Sequence, residues 1–81
     1  MAIKTKNKII KQLTVEFARE DDGRWIAEIP KLPGVMAYGS TKVHARQKVY
    51  AIALRTLADV VEQGSTPTSV TQLFNYGMAR R

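Results

Sequence analysis

Cysteine is absent from this 81-residue chain, so neither a disulfide nor a thiolate metal site can form. Histidine is nearly absent too: His44 stands alone, with no carboxylate cluster beside it in sequence, and cannot build a zinc site. Glycines Gly23, Gly34, Gly39 and Gly64 are scattered singly, which excludes a phosphate-cradling loop. No apolar run reaches the roughly 18 residues of a membrane-crossing helix. The basic start of the chain lacks the apolar stretch of about 7–15 residues that a secretory signal needs, so a cytoplasmic location is expected. A domain this short buries only roughly 60% of the surface its unfolded chain exposes. With disulfides and metals excluded, self-association into a dimer or tetramer is the expected source of added stability.

Catalytic equipment is missing as well. Nucleophilic chemistry needs an activated Cys, Ser or Lys with a base in reach, and no Gly-x-Ser-x-Gly element is present. Asp21 and Asp22 precede Gly23, where acids are explained by turn chemistry, since their side chains bond nearby backbone amides. Metal-assisted hydrolysis would need clustered carboxylates, whereas the acids here are spread over a turn, two strands and a helix face. The chain is expected to be neither an enzyme nor a holder of a cofactor or metal.

What is present is an ordinary apolar content of 44% and a formal charge of +6. The charge is unevenly placed. Lys4, Lys6, Lys8 and Lys11 crowd the first eleven residues, and Arg80 and Arg81 close the chain. Between residues 12 and 79 seven basic side chains meet seven acidic ones, so that span is neutral. This divides the chain into a basic arm (1–11), a domain (12–76) and a basic tail (77–81). The six tail cations are candidate nucleic-acid contacts, because basic arms neutralise phosphate; solubilising ends are the plainer reading.

Within the domain, residues 12–18 alternate with period two, placing Leu13, Val15 and Phe17 on one face. Residues 24–29 repeat the pattern with Trp25, Ala27 and Ile29. Between them Asp22-Gly23 supplies the positive φ that a tight hairpin demands. Pro30-Lys31-Leu32-Pro33-Gly34 then forms a rigid connector, because two prolines remove two backbone donors. A short third strand is expected at Val35–Tyr38, with Tyr38 opposite in parity to Val35 and Ala37. Gly39-Ser40-Thr41 breaks that strand and offers a one-sided helix cap. The helix is expected from about Thr41 or Lys42 to Gln63, with Gly64 as its stop.

On that helix Val43, Tyr50, Ala53, Leu54, Leu57, Val60 and Val61 gather on one side. Val49, Ala51 and Ala58 widen the apolar arc to roughly 200°, beyond the roughly 100° that one sheet requires. The surplus points to a second covering surface such as another copy of the chain, with Val49 and Val60 as candidate interface residues. After Ser65-Thr66-Pro67-Thr68, the β-formers of Val70–Tyr76 read as a fourth strand. The expectation is an α+β fold of order β-β-β-α-β: a three-stranded antiparallel meander, one long helix packed on the sheet and a C-terminal strand. For Phe17 and Trp25 a core or hairpin role outweighs base stacking.

The stretch Asp22-Gly23-Arg24-Trp25-Ile26-Ala27-Glu28-Ile29-Pro30, followed by Leu32-Pro33-Gly34 and Gly39-Ser40-Thr41, resembles the HicB family of small bacterial and archaeal proteins. The resemblance covers about residues 13–62 and implies a partial RNase H-like fold. It also implies an antitoxin that binds and masks a small, basic, RNA-cleaving toxin of the HicA type. The motif residues Gly23, Pro30, Pro33, Gly34, Gly39 and Thr41 have structural work: turning the hairpin, shaping the connector and launching the helix. Two readings of function follow: a HicB-like protein-binding domain, antitoxin or orphan homo-oligomer, and a nucleic-acid-binding module that uses the basic tails.

Overall fold

The computed structural model describes residues 12–79. Three strands, β1 (Glu16–Arg19), β2 (Trp25–Glu28) and β3 (Met36–Gly39), form an antiparallel sheet in the order β1-β2-β3. One long helix, α1 (Lys42–Glu62), packs across one face, mainly over β3 and β2. The α+β class and the meander agree with the sequence. β1 is shorter than the alternating stretch that contains it. Gln12–Val15 lie outside the ladder, yet Leu13, Val15 and Phe17 are all half-buried while Thr14, Glu16 and Ala18 are exposed.

Each connection has a local cause. In the hairpin the Gly23 amide donates to the Glu20 carbonyl at 2.9 Å, the Glu20 amide donates to the Arg24 carbonyl at 2.8 Å, and Gly23 has φ +91. Asp22 completes the turn by accepting from the Arg24 amide at 3.0 Å and from Arg24 Nε at 2.8 Å. The Arg24 amide, and after it the Arg24 guanidinium, holds the Asp22 carboxyl below the usual carboxylate range. The Asp22 carboxylate thus serves the turn itself.

The Pro-rich connector is two successive β-turns. The Leu32 amide bonds the Ile29 carbonyl at 2.9 Å, and the Val35 amide bonds the Leu32 carbonyl at 3.0 Å. Pro30 and Pro33 each occupy the second position of a turn, where a fixed φ helps and no donor is wanted. Gly34 follows Pro33 with φ +82, the left-handed value that the third position of a type II turn requires. The Ile29 amide then meets the Val35 carbonyl at 3.1 Å, which brings two buried side chains together at the sheet's end.

At the helix start Thr41 Oγ1 accepts from the His44 amide at 3.0 Å, a single-sided cap as the sequence suggests. Thr41→Ala should therefore cost about 1 kcal/mol of unfolding free energy in a urea titration. A change below about 0.2 kcal/mol would mean that water replaces the hydroxyl without penalty. At the far end the Gly64 amide bonds Val61 and the Ser65 amide bonds Val60, with Gly64 at φ +103. This is the paired bonding of a Schellman stop.

Two expectations are corrected here. Val70–Tyr76 is not a strand. Pro67, at φ −59, opens a single helical turn, α2 (Thr68–Thr71), and the amides of Leu73 and Phe74 bond back to Val70 and Thr71. Local bonds thus take the donors a ladder would need, and among the described residues no strand follows β3. The second correction concerns the side of α1 that meets the sheet. The buried stripe is Ala45, Val49, Ala53 and Leu57, spaced by four. The bulkier Val43, Tyr50, Leu54 and Val61, expected within the packed side, are exposed. They lie roughly 100° further round the helix.

The reason is the depth of the interlayer space. Ala27 and Ala37 face Ala45 and Val49, and Val49 is the largest side chain that is fully buried. Gly39 brings β3 still closer, since a Cβ built there would stand 2.9 Å from both Ala45 Cα and the His44 carbonyl carbon. Small residues allow helix and sheet to approach, and close approach then excludes the large ones.

Candidate interaction surfaces

The structure distributes the sequence-predicted residues unevenly. Lys4, Lys6, Lys8, Lys11, Arg80 and Arg81 lie outside the described residues. Val49 is wholly buried within its own chain and cannot meet another, which overturns its assignment to an interface. Val60, on the same sheet-facing line of α1, is half-buried. Gly23, Pro30, Pro33 and Gly34 sit at turns, Gly39 ends β3 and Thr41 caps α1, and they make no common site. Among the described residues, no group of three or more His, Cys, Asp or Glu is placed to hold a metal, and no helix is long and apolar enough to cross a membrane.

Three surfaces carry unsatisfied chemistry. The first is the sheet face away from α1. Strand alternation places Glu16, Ala18, Ile26, Glu28, Met36 and Tyr38 there. The register sets Ile26 beside Tyr38 and Glu28 beside Met36, so an apolar centre crosses two strands. It also sets Glu16 directly opposite Glu28, a like-charge pair that costs stability. Arg24 lies over the Tyr38 ring at 4.5 Å, on the hairpin side of this face.

The second surface lies at the start of α1. Lys42 Nζ stands 4.8 Å from the Phe17 ring centre and 5.7 Å from that of Trp25, and the Arg19 guanidinium is 5.4 Å from Trp25. Both rings are half-buried and pack on the core, as expected of them, but cations cap their open sides. The helix above is charged against its dipole: Lys42, Arg46 and Lys48 occupy its first two turns, and its last turn has no base.

Comparison with protein-family models, with curated proteins and with solved structures finds no match.

The third surface is the exposed stripe of α1. Leu54 is 60% exposed, and Val43, Tyr50 and Val61 are exposed along the same line. After α2 the chain turns back beside it, so that Leu54, Leu57, Val61, Val70, Leu73 and Phe74 line one apolar groove. Beyond the groove Tyr76 and Met78 are 99% and 94% exposed. The spacing of apolar residues along the sequence reveals the surplus on α1 but not which residues form it. That depends on which side of the helix the sheet accepts.

Proposed function

We propose that the chain is a non-enzymatic HicB-like interaction domain, an antitoxin whose outer sheet face receives a small basic protein of the HicA toxin type. The observation that carries this reading is the Glu16–Glu28 pair beside Ile26, Met36 and Tyr38. Two carboxylates held opposite each other destabilise the free domain, and a cationic partner surface relieves that repulsion on binding. The open apolar centre between β2 and β3 supplies the area that contacts of charge alone lack. Support for the family reading comes from the spaced motif and from the meander followed by a long helix. The cytoplasmic location and the partial RNase H-like outline belong to the same reading.

Glu28→Lys tests it, because the substitution turns the repulsive pair into an attractive one. The variant should gain roughly 0.2–1 kcal/mol of stability and lose the partner. In a nuclease-treated pull-down from the native lysate, the unmodified chain should retain one small basic protein and the variant should not. Equal recovery on both baits would remove the outer sheet face from the account.

A second reading has its own observation, the Lys42–Phe17–Trp25–Arg19 cluster. Rings capped by cations suit a polyanion, and the basic arm and tail would extend the contact. Nucleic acid recovered only at low salt, and lost on deleting residues 1–11, would favour that reading.

A further inference from the structure

We infer that the groove along α1 is the seat for the C-terminal segment of a second copy of this chain, exchanged reciprocally in a two-fold dimer. The inference deepens the reading of the chain as an interaction domain by naming one partner and the residues that join it.

Phe74, Tyr76 and Met78 recur with period two, the spacing of one strand face, and alternate with the smaller Asn75, Gly77 and Ala79. Tyr76 and Met78 have almost no cover within their own chain, at 99% and 94% exposure, and Phe74 is 66% exposed. An aromatic residue buries about 150–250 Å² when covered. Tyr76, Met78 and the exposed parts of Phe74 and the other groove residues together approach the roughly 800 Å² per partner of a standard interface.

The groove is the matching half. Leu54, Leu57, Val61, Val70 and Leu73 present apolar walls, and Glu62 stands at the rim near the C-terminal end of α1. The segment runs on in sequence to Arg80 and Arg81. Segment and groove are adjacent on the same surface, since Phe74 lines the groove and the chain then departs from it. One patch therefore holds both donor and acceptor, as a two-fold interface requires. A dimer built on α1 stripes alone would leave Tyr76 and Met78 bare.

The test measures oligomeric state against concentration by analytical ultracentrifugation. The unmodified chain should dimerise. A Tyr76→Asp/Met78→Asp variant should keep its helix content by circular dichroism, because both positions are exposed, and dimerise about 100-fold more weakly. Leu54→Asp, in the groove, should do the same. Because a mixed pair retains one intact segment and one intact groove, the two variants combined should form more dimer than either alone. A monomeric wild type, or a dimer indifferent to Tyr76 and Met78, would overturn the exchange. So would a monomer whose melting temperature falls with Tyr76→Asp, since the segment would then pack on its own chain. None of these results touches the proposed function, which stands or falls on capture of a basic protein and its loss with Glu28→Lys.

Discussion

Gly39→Ala should cost the domain about 3 kcal/mol, the upper range for forcing extra volume into a packed interior. The added methyl has no flexible side chain to push aside. It meets the Ala45 amide nitrogen and Cα and the His44 carbonyl carbon, all of them helix backbone. Relief requires the first turns of α1 to lift from β3, which would loosen Ala37 and Ala45 together. A domain of this size has a total stability of roughly 4–12 kcal/mol, so the variant should show a markedly lower urea midpoint. Gly77→Ala is the control, because nothing lies within 4 Å of a Cβ there. If Gly39→Ala cost no more than the control, the close seating of helix on sheet would be wrong.

Val49→Asp is expected to prevent folding, or to destabilise by at least roughly 4 kcal/mol. Val49 is 0% exposed, in a core whose buried residues, among those described, are all apolar, so a carboxylate there would be stripped of water. Leu54→Asp, only five residues further along the same helix, should change monomer stability by at most about 0.5 kcal/mol, because Leu54 is 60% exposed. Circular dichroism at low protein concentration reads both. The reverse ranking would restore Val49 to an interface between chains and place Leu54 in the core.

That contrast marks where a linear pattern stops being informative. Val43, Tyr50, Leu54 and Val61 are large and apolar, and Ala45 is small, so any weighting by hydrophobicity turns α1 toward the larger set. The sheet turns it the other way. Ala27, Ala37 and Gly39 leave so little depth that Ala45, Val49 and Ala53 are the residues that fit. The candidate surfaces share this dependence. Glu16 and Glu28 are twelve residues apart in sequence and become a repulsive pair only through the hairpin register. Lys42 reaches Phe17 and Trp25 only because the helix starts above the β1–β2 end of the sheet. The C-terminal stretch has strand composition throughout, but Pro67 and the bonds of Leu73 and Phe74 commit its first part to a helical turn.

By itself the sequence determined what depends on a few neighbouring residues. Asp22-Gly23 turns the hairpin, Pro30, Pro33 and Gly34 form the rigid connector, and Thr41 and Gly64 bound the helix. Period two marks the strands for the same reason, since alternation is a property of the extended backbone. Only the tertiary structure decided which helix stripe is core, which is left for a partner, and which charges stand opposed. These depend on the distance between layers and on register. Both are set by the sum of small residues on two elements far apart in the chain, and neither leaves a signal within one of them.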